Sequence, residues 1–197
     1  MRTIGVFVSL KYYKMTFFLK TYKKQITFGL FLALVVSIIT IRIYEAPLKN
    51  EICKQGIASF ELAKDINKTT AILDSWDTNA KINMSLSLGY DYLFLLVYAC
   101  FIALLIFNIN ERLWHNKPFY RLGVILITLI FFAAFLDIIE NFALTKILTG
   151  NLQQIWASLA YYMASTKFAI ILICIIYLLA NWLFLLFSNI ATQNRKR

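Results

Sequence analysis

The sequence predicts an all-α membrane protein, a bundle of four transmembrane helices with an amphipathic helical segment between the first two. Three observations carry this prediction. The chain is 60% hydrophobic and only 15% charged, against roughly 45–50% and 25% in soluble domains. Its apolar residues gather in four long runs, each able to cover most or all of a hydrocarbon core of roughly 30 Å. Six glycines and two prolines leave few breaks, and no segment alternates polar and apolar residues over the roughly ten positions a barrel strand needs. Helices satisfy the backbone in lipid without partners. No linker or low-complexity stretch marks a second domain, so residues 1–197 are read as one membrane domain.

The first run, 26–43, follows Lys20, Lys23 and Lys24 in the manner of a secretory signal. It is longer than a typical signal core, however, and Arg42-Ile43-Tyr44-Glu45 stands where the small residues of a cleavage site belong. It is therefore expected to remain as the first span, whether translation starts at Met1 or Met15. In the connection 45–89, Leu62, Ile66, Leu73 and Trp76 recur at helical spacing with Glu61, Lys64, Asp65, Lys68 and Asp74 among them. That pattern predicts an amphipathic helix that caps the bundle, lies at the interface or meets a protein partner. Ser75 or residues 77–79 would end it, and a second helical piece from about Ala80 would run into the second span, 90–109. Within that span Ala99 and Ala103 suit close helix approach. The short loop 110–121 carries Trp114, Phe119 and Tyr120 at headgroup level, with Asn116 placed to cap and Pro118 to open the third span, 122–144. Residues 149–167 present Leu152, Ile155, Trp156 and Leu159 on one side of a helix, which either extends the fourth span, 168–190, or lies along the surface.

A net charge of +10 raises the question of nucleic acid, but its distribution answers it. The N-terminal segment, the loop after the second span and the tail Arg195-Lys196-Arg197 together carry 12 Lys and Arg with Glu111 as their one acid, while the other side carries eight bases and six acids. The positive-inside rule then expects both termini in the cytoplasm, consistent with a bacterial inner membrane, and anionic headgroups account for the basic face. Membrane lipids are the expected partners and nucleic acid is not. Cys100 and Cys174 lie inside spans as small hydrophobes, and Cys53 stands alone outside, so no disulfide forms within the outer segment.

The chemical anomaly is Asp137-Ile138-Ile139-Glu140-Asn141 inside the third span. Positions three and four apart share a helix face, so the two acids and the amide point the same way. An acid at a span's centre costs about 2.5–3.5 kcal/mol on insertion scales, and less toward the ends. Arg42 ends the first span, Asp91 opens the second and Lys167 opens the fourth at a matching level, while Tyr98 follows Asp91 by two turns and Asn181 lies deeper on the fourth helix. Three readings stay open: ion pairs that fix how helices pair, the polar end of a pocket for a small amphipathic molecule, or an ion or proton path. The path is the poorest fit, because 124–135 offers only Thr128. A lipid-modifying enzyme that uses these acids for proton transfer and a non-catalytic assembly subunit are the alternatives to ligand binding.

Other chemistry is struck off. The one histidine, His115, lies in the loop 110–121 and cannot meet the acids, so multi-histidine zinc sites, bis-histidine haem and histidine-activated nucleophiles are excluded. Two nearby bases argue against a hard cation, and no phosphate-binding glycine motif is present. No metal and no cofactor is expected.

The runs Leu88-Gly89-Tyr90-Asp91 through Tyr98, Leu136-Asp137-Ile138-Ile139-Glu140-Asn141 and Lys167-Phe168, with Ile72-Leu73-Asp74-Ser75-Trp76, resemble a widespread group of bacterial four-helix membrane proteins. In that group an Asp opens the second span, a Leu-Asp-x-x-Glu-Asn motif lies in the third and a Lys opens the fourth; the resemblance implies no activity. A looser similarity, of architecture and intramembrane acids alone, is to the EXPERA superfamily of four-helix proteins that hold sterol-like ligands. The chain lacks the histidine used by the sterol isomerases of that superfamily.

Overall fold

The computed structural model describes the backbone of residues 2–194 and the side chains of residues 22–188. The described chain is helical, without a strand, and four of its helices are long and apolar enough to cross a membrane, as an integral membrane protein requires. In order these are α1 (Arg2–Glu45), a 3-10 turn (Ala46–Leu48), α2 (Ile57–Glu61), α3 (Ile66–Asp74), α4 (Thr78–Leu113), α5 (Tyr120–Leu148) and α6 (Gln154–Asn194). The spanning stretches are Tyr22–Leu48, Thr78–Leu113, Tyr120–Leu148 and Gln154–Ser188. As expected, the helix that begins near Ala80 runs without a break into the second span, and residues 154–167 extend the fourth.

α4 packs against α5 and α5 against α6, while α1 lies along α4. The close approach of α4 and α5 at their shared turn is set by Gly123, where a Cβ atom would overlap the Asn110 carboxamide. That carboxamide donates to the Tyr120 carbonyl at 2.9 Å and accepts from the Tyr177 hydroxyl at 3.3 Å, so all three helices meet there. The alanines Ala99 and Ala103 are buried against α5, where Ala133 and Ala134 belong to the same apolar cluster. Asn116 does not cap α5. It takes the left-handed conformation (φ 62°) that closes the turn, and Phe119 occupies the cap position.

The predicted amphipathic helix is broken in two. After α2 the chain turns through Leu62–Asp65, with Lys64 at φ 63°. Asp65 then caps α3, its side chain accepting from the backbone N–H groups of Asn67 at 2.8 Å and Lys68 at 3.3 Å. The break is held from far along the chain: Gln154, first residue of α6, accepts from the Ile66 N–H and donates to the Lys64 carbonyl, both at 2.9 Å. Breaking the helix leaves Leu62 exposed and rotates α2 relative to α3, so that Phe60 and Glu61 are buried on one piece and Ile72 and Leu73 on the other. Trp76 seals this cap by donating its indole N–H to the Leu48 carbonyl at 2.9 Å.

Two apolar clusters result. One joins the cap to the adjoining ends of α4, α5 and α6 through Phe60, Trp76, Met84, Leu144 and Ala157. The other fills the helix interfaces farther along, through Leu95, Ile106, Ile130 and Cys174. The residues of α4 and α5 between these clusters in sequence include Asp91, Asp137, Glu140 and Asn141, so the charged residues form a polar layer between two dry ones. Asp137 lies about 17 Å along the helix from the Leu148 end of α5, nearer the capped end than the other.

Candidate functional site

Each polar side chain in the layer is brought there by helical periodicity. Asp137, Glu140 and Asn141 occupy one face of α5 and are 2%, 0% and 1% exposed, so the shared face read from their spacing is the buried one. Lys167 reaches them from α6, its Nζ 2.5 Å from Asp137 Oδ1 and 2.7 Å from Glu140 Oε2. The Tyr98 hydroxyl, from α4, donates to Asp137 Oδ2 at 3.0 Å. Asn141 donates its amide to Asp91 Oδ2 at 2.6 Å, linking α5 back to α4. Six of the seven candidates therefore meet in this one layer, Tyr98, Asp137, Glu140 and Lys167 in one bonded group and Asp91 with Asn141 beside it.

The seventh does not. Arg42 turns its guanidinium to Glu45, 3.3 Å away on the same helix, and keeps its side chain 68% exposed. A long charged side chain at the end of a span reaches outward at little cost. Asn181 is also elsewhere, accepting from the Trp114 indole at 2.7 Å near the α4–α5 turn.

The residue missed from the sequence is Glu61. It counted there as a solvated position of the amphipathic helix, but α2 buries it beside the cluster, where it lines the same cleft as Asp137 and Lys167. Burial is the main influence on Glu61 and pushes its pKa above the ordinary glutamate value, against the opposing attraction of Lys167. The signal available in the sequence was the Gln154 anchor that breaks the helix, which becomes meaningful only once α6 is in place.

The cluster is therefore lopsided. Four buried or half-buried acids, Glu61, Asp91, Asp137 and Glu140, face the single ammonium of Lys167. Even with Glu61 protonated the acids outnumber the base. Two residues at this layer keep buried polar atoms with no hydrogen-bond partner among the described residues: Ser87, through its hydroxyl, and Glu140, whose Oε2 is held only by the ion pair with Lys167. An orphan hydroxyl inside a helix is unusual, since buried polar groups are nearly always paired.

The cluster also closes one end of a cleft of about 460 Å³ between α1, α2, α4 and α6. Glu61, Ser87, Asp91, Asp137 and Lys167 form its polar end. Leu34, Ile38, Phe94, Ile102 and Ile171 form an apolar wall, with Arg42 and Glu45 at the rim. No group of three or more His, Cys, Asp or Glu with metal-binding geometry occurs among the described residues.

The raised pKa of Glu61 gives stability a defined pH dependence. The folded state holds the Glu61 proton at pH values where the unfolded chain has released it, so this contribution is complete below about pH 4.5 and is lost as pH rises through the folded value. Thermal unfolding of the detergent-solubilised protein should show stability falling above about pH 4.5 by at most about 1.4 kcal/mol per pH unit from this group. Glu61→Gln should flatten that slope, and an unchanged slope would remove Glu61 from the buried proton balance. No family model, curated protein or solved structure matches the chain, and the chemistry of the site rests on its own geometry.

Proposed function

We propose that the cleft binds a small amphipathic molecule, its hydrocarbon part along α1, α4 and α6 and its polar end at the acid cluster. The observation that carries this reading is the junction inside one cavity of an apolar wall with buried carboxyls and an unpaired Ser87 hydroxyl. The cavity volume lies in the range typical of small-molecule sites, and a few convergent polar groups on mostly apolar walls are their usual composition. The stretch of α4 from Asp91 to Ile102 along the cleft is about 16 Å, room for a medium-length acyl or alkyl chain. Excess carboxylate selects a polar end that donates protons: an ammonium, or hydroxyls, in preference to a carboxylate.

The buried Glu61, Asp91 and Asp137, which all line the cleft, favour a second reading in which the bound molecule is also chemically altered. Glu61, kept protonated by burial, beside carboxylates in the same cleft is suited to hand a proton on and take it back, as general acid–base catalysis requires.

A thermal-shift series with dodecylamine, dodecanol and dodecanoate below their micellar concentrations tests the binding reading. A ligand that binds only the folded state raises the melting temperature by mass action. The amine and the alcohol should stabilise the wild type more than the acid does, and Asp91→Asn with Ser87→Ala should erase the difference. Equal shifts in both proteins would take the cleft out of binding.

We infer that the basic ends of the spans and both termini face the cytoplasm of a bacterial cell, a reading that the charge distribution supports. The chain is likewise read as a member of the bacterial group sharing the Leu136-Asp137-x-x-Glu140-Asn141 run. Cysteines introduced at Lys20 should react only from the cytoplasmic side, and one at Asn67 only from outside. Labelling of Asn67→Cys from the cytoplasm would reverse the orientation.

A further inference from the structure

The opposite end of the molecule carries a second set of features that the acid cleft does not use. Two grooves, of about 390 and 420 Å³, meet at the half-buried Lys23 and at Asn108, which line both. The first runs between α1 and α4 past Phe28, Phe31 and Phe101, with Lys24 beside Lys23. The second runs between α4 and α6 past Leu105, Leu178 and Trp182, with Arg112 at its edge. Both grooves lead from bases at the ends of the spanning stretches toward apolar residues farther into the spans: Phe31 lies about 12 Å along α1 from Lys23, and Leu105 about 10 Å along α4 from Arg112.

The electrostatics are one-sided. No acid lines either groove. Among the described residues Lys23, Lys24 and Arg112 have no carboxylate within ion-pair distance. The nearest acid in sequence, Glu111, is occupied elsewhere, accepting from the Tyr120 hydroxyl at 2.7 Å and lying 3.5 Å from His115. Asn108 adds a buried Oδ1 with no hydrogen-bond partner where the grooves meet.

We propose that this end holds one anionic diacyl phospholipid, its phosphate among Lys23, Lys24 and Arg112, the Asn108 amide beside it, and one acyl chain in each groove. Two apolar channels diverging from one basic centre match the form of such a lipid, with the charged group at the ends of the spanning stretches and the chains directed inward. A basic pocket between spanning helices at the headgroup level is a physically favourable seat for an anionic headgroup. A zwitterionic lipid would fill the grooves equally well but would leave the bases without a net countercharge. The site is independent of the acid cleft, with which it shares no lining residue.

The test is native mass spectrometry and thermal shift on the full chain in mild detergent, with phosphatidylglycerol and phosphatidylcholine of matched acyl chains. The wild type should retain one phosphatidylglycerol preferentially and be stabilised more by it than by phosphatidylcholine. Lys23→Gln with Arg112→Gln should weaken retention of phosphatidylglycerol about tenfold or more, each base near a headgroup contributing roughly a factor of five. The charge-matched control Lys54→Gln with Lys68→Gln, at the capped end, should behave as wild type. Asn108→Asp, an isosteric change that adds a negative charge at the junction, should weaken retention while far-ultraviolet circular dichroism stays unchanged. Equal retention of the two lipids by the wild type, an equal loss in the capped-end control, or undiminished preference in both groove variants would overturn the proposal.

Discussion

The ammonium of Lys167, held between Asp137 and Glu140 at 2.5 and 2.7 Å with about one-twentieth of its side chain exposed, is the contact on which the rest of the arrangement depends. Removing each such ion from water costs several kcal/mol, and only close geometry with further hydrogen bonds offsets it. The protein supplies both. Tyr98 completes Asp137 from α4, and Asn141 reaches Asp91 in return, so three helices are joined through one small group of side chains. Because apolar clusters lie on either side of this layer, a slip of any helix along its neighbour would separate the charges and bury them unpaired. The layer therefore sets the register of α4, α5 and α6, and the same shortage of base leaves carboxyl groups facing the cleft.

The spans were legible because their signal is local: long apolar runs with charged ends need no tertiary information. The Asp137, Glu140 and Asn141 face was legible for the same reason, since spacing on a straight helix decides orientation. Tyr98, Asp91 and Lys167 followed from matching their depths on neighbouring helices. Glu61 and Arg42 were misplaced for complementary reasons. The position of Glu61 depends on a break in the outer helix that Gln154 holds from 88 residues away, and no helical periodicity contains that information. Arg42 was matched to the acids by depth alone, but Glu45 lies one turn along the same helix and takes its guanidinium at 3.3 Å. Exchanging Arg42 for Glu61 changes a ring of three acids and two bases into one of four acids and a single base, and the chemical reading moves from a structural ion network toward a site with capacity for a donor.

The two ends of the molecule divide their work by charge. At the capped end the acids are buried, screened from water by the cap and by α1, and open to an apolar cleft. At the other end the bases stand at the rims of grooves and stay within reach of headgroups. α1 contributes to both: only 6% of its most apolar window is buried, and it packs along α4 while lining the acid cleft and both basic grooves. A helix held mainly by one neighbour is well placed to leave lateral openings on each side of it, which is what amphipathic molecules entering from a bilayer require.

The most direct test of this account is equilibrium unfolding of Lys167→Met, alone and combined with Asp137→Asn and Glu140→Gln, in one detergent at neutral pH. If Lys167 is the counterion that makes the buried layer tolerable, the single change should cost about 3–5 kcal/mol, because it leaves carboxyl groups buried without a partner. Neutralising the two acids in the same chain should then recover a large part of that loss, giving a coupling of at least about 1 kcal/mol. A Lys167→Met protein as stable as the wild type, or losses that simply add across the three positions, would contradict it.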